Sequence, residues 1–204
     1  VVSGTALILS NAQGTGDGKF VQTSDGKKVG NLKLSGAASS ATLNGAGAIG
    51  NIDGNAAGEG SLLIGSAAYG KPSAVEVQGA IGSSAAVSKI EVAADSSLTV
   101  NAAEGKGNIT AYELNLKAGS TLDATGHDVT IGNSTDKVAN IAGGTLNAKT
   151  LTLSGTGEHK IAGGANVVVD ILNGTDKGTI NVGEDVENGT ASVMAGQLVL
   201  NKAT

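Results

Sequence analysis

Three leucines constrain the fold of this chain more than any other feature. Leu98, Leu122 and Leu146 stand at i, i+24 and i+48. The phrases that hold them superpose with the same step: "IEVAADSSLTVNA" from Ile90, "LNLKAGSTLDATG" from Leu114 and "VANIAGGTLNAKT" from Val138. So do the small residues Ala94, Ala118 and Ala142. Val129 is answered by Leu151 at i+22, and Ala142-Gly143-Gly144 by Ala162-Gly163-Gly164 at i+20. Self-similarity at such a step marks a coiling chain in which each repeat buries its apolar face against the next.

Within the repeats, apolar residues come in short alternating pulses such as Leu32-Lys33-Leu34, Val75-Glu76-Val77, Ile90-Glu91-Val92, Leu98-Thr99-Val100 and Ile180-Asn181-Val182. Period two over a few positions is a short strand with one face inward. Almost nothing fits a helical i, i+3, i+4, i+7 stripe, and Gly, Ser, Asn and Thr disfavour a helix interior. The expected fold is all-β: a right-handed parallel β-helix (a β-solenoid) with about 20–24 residues and three short strands per coil. The 204 residues then make roughly nine coils, or fewer if the N-terminal part is irregular. An antiparallel sandwich also has short strands, but it does not produce three segments that superpose at one step. Hairpin signals, Asp17-Gly18 and Asp25-Gly26, cluster near the start. Residues 1–30 therefore read as an N-terminal strand and hairpin region packed on the solenoid, and residues 31–204 as the solenoid domain. The Gly- and Ala-rich stretch over 35–70 reads as coils with small side chains.

Composition excludes several function classes. The 33 glycines suit tight corners, and the single proline, Pro72, suits uninterrupted strand ladders. An apolar content of 40% argues against disorder. Without cysteine there is neither a disulfide framework nor a thiolate metal site. All 13 basic residues are lysine and the net charge is −5, so there is no basic footprint for nucleic acid. Phe20, Tyr69 and Tyr112 are the whole aromatic set, too few to stack on single strands. No segment approaches the ~18 apolar residues of a membrane-spanning helix. The opening Val1 to Leu9 has no basic flank and is too short for a signal peptide.

"VEVQGAIGSSAAVSKIEVAADSSLTVNAAEGKGNIT" and "AGSTLDATGHDVTIG" resemble the passenger domains of bacterial autotransporters. The Gly-Ala-Ile-Gly turns at 47–50 and 79–82 are similar in style to those of rickettsial surface-layer autotransporters. The resemblance is compositional and covers most of residues 40–200. It implies a parallel β-helix displayed outside a Gram-negative cell and serving in adhesion or surface coating. The long aromatic-ended strands of the membrane barrel that such proteins carry are missing from this chain.

Candidate chemistry is sparse. His127 adjoins Asp128 and His159 adjoins Glu158, but strand neighbours face opposite ways, so neither pair is a catalytic dyad. Both histidines read as exposed corner residues. Acidic residues are scattered singly and aromatics are nearly absent, which disfavours the polysaccharide-active enzymes that also use this fold. No catalytic residue and no bound cofactor is expected. Glu184, Asp185 and Glu187 near one turn are weak candidates for holding Ca²⁺ through oxygens, with a solvated acidic loop as the plainer reading. Four Asn-x-Ser/Thr sequons start at Asn108, Asn133, Asn173 and Asn188, as expected by chance in so Asn- and Thr-rich a chain. The ends are more telling: "TALILS" and "GQLVLNKAT" are apolar strands with no helix to cover them, so either the chain is cut from a longer solenoid or subunits meet end to end. The expected function is that of a secreted, non-catalytic structural protein of the bacterial surface, self-associating through solenoid ends into a layer or filament. The runner-up is an adhesin passenger binding host or neighbouring cells.

Overall fold

The computed structural model describes residues 31–134, 136–183 and 190–201, with the strand backbones of the segment before them. Twenty-one strands follow one another. The first nine are β1 (Val2–Ser3), β2 (Ala6–Ser10), β3 (Lys19–Val21), β4 (Thr23–Ser24), β5 (Lys28–Val29), β6 (Leu32–Ser35), β7 (Ser40–Asn44), β8 (Ala46–Ile49) and β9 (Ile52–Gly54). Next come β10 (Glu59–Ile64), β11 (Ala74–Val77), β12 (Val87–Val92), β13 (Ser97–Val100), β14 (Ile109–Leu116) and β15 (Thr121–Ile131). The last six are β16 (Ala139–Ala142), β17 (Thr145–Leu153), β18 (Glu158–Ala162), β19 (Asn166–Gly174), β20 (Thr179–Val182) and β21 (Ser192–Leu200). No helix occurs among the described residues.

The strands stack on three faces, visited in order by each coil. Face one runs β2, β7, β10, β12, the end of β14, β16, β18 and β20. Face two runs β3, β8, β11, β13 and then the first halves of β15, β17, β19 and β21. Face three runs β1, β6, β9, a bridge at Ile81, the start of β14, and the second halves of the same four long strands. All these pairs are parallel; β4 with β5 is the antiparallel exception among the described residues. The fold is an all-β parallel solenoid of about seven turns, consistent with a right-handed parallel β-helix. In the N-terminal region 1–30, β1, β2 and β3 pair parallel with β6, β7 and β8. The Asp17-Gly18 and Asp25-Gly26 turns lie outside the described residues.

Alternation places every second side chain in the interior, where equivalents stack into columns. Leu98, Leu122 and Leu146 are register partners, as their spacing demands, and each is fully buried. The same column begins at Val75 and continues to Val167 and Val193. On face one, Leu43, Ile64, Val92, Leu116, Ile141, Ile161 and Val182 form another. On face three, Leu32, Ile52, Ile81, Ile109, Val129, Leu151, Leu172 and Leu198 form a third. Burying a whole aliphatic side chain stabilises by about 1.5–3 kcal/mol, so these columns supply the driving force that two tyrosines and one phenylalanine cannot.

The face-one column does not keep one step. Ile141, Ile161 and Val182 follow each other closely in the chain, whereas Ile64 to Val92 and Leu9 to Leu43 are much longer excursions. This corrects the coil count. Three short strands and their corners need about 20 residues, and loops such as 65–73 and 78–86 swell some coils well beyond that. A single insertion between β15 and β16 also shifts the local frame, so Leu114 pairs with Ala139 and not with Val138.

Corners are held by short polar side chains that take up backbone N–H groups. Before face three, Asn31 Oδ1 accepts from Asn51 N–H (2.9 Å), Asn51 Oδ1 from Ala80 N–H (2.9 Å) and Asn108 Oδ1 from Asp128 N–H (3.1 Å). Before face two, Ser73 Oγ accepts from Gly45 N–H and Ser96 Oγ from Ser73 N–H. The Gly-Ala-Ile-Gly turn at 79–82 follows from this. A side chain on Gly79 would collide with the Asn51 amide, and Gly82, at φ 71°, lies against the Thr110 carbonyl where no Cβ fits.

Candidate functional site

The coil of β20 and β21 is built like the others, but among the described residues its apolar side chains are exposed. Val182 ends the face-one column at 50% exposure and Leu198 ends the face-three column at 60%. Leu200 occupies the next inward position at 47%. Met194, on the outward side of β21, adds a further exposed apolar group. β20 pairs only with β18, and β21 only with β19, so one edge of each is unpaired among the described residues. Neither strand contains a charged residue or a proline. Those are the usual devices that keep an edge strand from pairing with another chain. At the opposite end β1, β2 and β3 are likewise paired on one side, and they run parallel to the strands above them. The two ends therefore present the same three-strand profile with the same strand direction.

The histidines correct the sequence reading. His127 is only 5% exposed and His159 only 1%. "TGHDV" looks like a turn, but β15 runs straight through it with a bulge: Ala124 pairs with Ala148 and Asp128 with Thr150, so Thr125, Gly126 and His127 together oppose Lys149. The His127 ring packs toward Gly107, and its Nδ1 is buried without a hydrogen-bond partner. His159 lies on β18, where Asn140 pairs with Lys160; that register sets His159 inside the solenoid beside Ala139. Its Nδ1 sits 3.0 Å from the Ala139 N–H and its Nε2 3.1 Å from the Ser154 carbonyl. Burial holds its pKa below the ordinary value, opposed by the Ser154 bond.

Two surface grooves lie beside insertion loops. One, of about 500 Å³, runs beside Gly65, Lys71 and Pro72, with Glu91, Asp95 and Lys117 on its other wall. The second, of about 440 Å³, lies at the β15 bulge between Glu104, His127, Lys149 and Asp170. Each groove is lined by both lysine and carboxylate side chains. Among the described residues, no group of three or more His, Asp or Glu side chains could hold a metal ion. Glu184, Asp185 and Glu187 fall in the stretch between β20 and β21 that lies outside the described residues. Charged side chains on face one pair along and across coils: Lys89 with Glu91 at 2.7 Å, and Lys137 with Glu113 at 3.6 Å. No described helix is long and apolar enough to cross a membrane.

The open edges and the exposed column ends are what sequence reasoning located by the apolar character of "GQLVL". The inward histidines it missed, because one-residue parity decides a strand face and corner insertions hide the parity. Comparison of the chain with protein-family models, with curated proteins and with solved structures finds no match.

Proposed function

We propose that this chain is a non-catalytic structural component of a bacterial cell surface, secreted and self-associating through its solenoid ends into a filament or layer. One observation carries the reading: inner columns run out to solvent on an uncharged, unpaired coil edge at Val182, Leu198 and Leu200. The occupant is a second copy of the chain. Its β2, β3 and β1 offer edges of matching direction on the same three faces. Translation along the axis continues every ladder, and such a head-to-tail contact does not close on itself. Scattered acids and mixed-charge grooves support a role without catalysis and without a resident cofactor.

Sedimentation velocity and negative-stain microscopy over a concentration series test this. Growing oligomers or filaments are expected. Leu198→Lys with Leu200→Lys should return them to monomer with the β spectrum intact. A chain that stays monomeric at its highest soluble concentration overturns the proposal. A second reading has its own observation: the loops over 65–73 and 101–108 rise beside the two grooves. An adhesin would bind its cellular partner there, and a monomer that binds cells until these loops are shortened supports that reading instead.

A further inference from the structure

The geometry points to His159 as an acid-sensitive clip that holds β18 onto β16, so that acidification opens face one of the solenoid near its C-terminal end while face two stays paired.

The clip is defined by two backbone groups. The Ala139 N–H is 3.0 Å from Nδ1 and has to donate, so Nδ1 has to be an unprotonated acceptor. The remaining proton then belongs on Nε2, which donates to the Ser154 carbonyl at 3.1 Å. One neutral ring thereby ties three segments: the first residue of β16, the loop before β18, and β18 itself. The column around it is apolar. Leu62, Ile90 and Leu114 lead to Ala139, and Ile180 follows on β20. Ala139 is small where its neighbours are large, which leaves space for the imidazole. Gly132, at φ 107°, does the same from the other side: a Cβ there would strike the Ser154 carbonyl and come within 3.0 Å of the ring.

Among the described residues, the charged groups near this ring are all engaged elsewhere or turned to solvent. On its own strand Glu158 and Lys160 point outward and pair at 3.6 Å. In the loop before β16, Asp136 accepts from the Ser134 hydroxyl, and Lys137 pairs with Glu113. In the loop before β20, Asp176 accepts from the Gly155 N–H, and Lys177 is exposed. β16 and β20 contribute no charged residue. A protonated Nδ1 would point one N–H at another and bury an unpaired charge.

The direction of the response follows. The folded ring has a lowered pKa through burial. Once β18 lifts away, the ring meets water and regains a value of about 6.5. The opened form therefore binds more protons, so the contact is fully present above that value and is lost as pH falls through and below it. A ring that stays neutral in the closed form sets the ceiling: from pH 7.5 to pH 5.0 the opening constant rises by at most about 30-fold. The long pairing of β17 with β19 has no such group and serves as an internal reference.

Hydrogen exchange resolved by residue, corrected for intrinsic rates, tests the inference. Amides of Ala139 and β18 should lose protection, by up to about 30-fold, between pH 7.5 and 5.0, and amides of β19 should not. His159→Leu should abolish the difference, and His127→Leu should leave it in place. If His159→Leu does not fold, ring ¹⁵N shifts of the intact protein at pH 7.5 decide: a neutral ring with the proton on Nε2 supports the clip. An imidazolium or the opposite tautomer, or equal acid response in β18 and β19, overturns it.

Discussion

A single side chain in this molecule matters through its column. Leu122 stands between Leu98 and Leu146 with no solvent contact, so a carboxylate there has nowhere to turn. Leu122→Asp is expected to cost at least ~3 kcal/mol, read from the urea midpoint. His127 carries the opposite expectation. Its buried Nδ1 has no partner, and an unsatisfied polar atom costs about 1–3 kcal/mol. His127→Leu should therefore raise stability by about 1 kcal/mol in thermal unfolding. A loss of stability would mean that the ring has a partner worth keeping. These residues also show what the sequence could tell. The Leu98–Leu122–Leu146 column was legible because nothing is inserted between its members. His159 was not, because a single insertion before β16 broke the frame in which its inward parity could be seen.

Among elements, the corners decide how the strands turn. Asn51 carries the chain from face two to face three by accepting the Ala80 N–H at 2.9 Å. Asn51→Ala orphans that donor and should cost about 1–2 kcal/mol, whereas Asn51→Asp, which keeps an acceptor, should cost less. Equal losses in chemical unfolding would show that the bond is not what holds the corner. Asparagines at 31, 51 and 108 read as generic turn residues, and their unequal spacing announced no stacking; Ser96 and Ser120 keep the step of 24 but read only as turn residues. The strands themselves were legible, since alternation shows within a very short stretch. The number of coils was not, because corner loops lengthen a coil without touching its three strands. Ile64 and Val92 are neighbours in the face-one column across two swollen loops, and Ile141 and Ile161 are neighbours across corners of minimal length.

For the whole molecule, length is additive. Consecutive coils rise by about 4.8 Å, so the seven steps of the face-one column from Leu9 to Val182 span about 34 Å. Leu98 and Leu122 occupy equivalent places one coil apart. Deleting residues 99–122 joins Leu98 to Asp123 with every face still meeting its own kind. The shortened chain should fold with the same β spectrum and a maximum dimension about 4.8 Å smaller by small-angle scattering. Loss of cooperative folding would show that the coils are not interchangeable. If they are, the flush register of the leucine column makes the protein a ruler: its graduations are whole coils, and its reach can be reset by insertion or loss of one graduation without redesign of the rest.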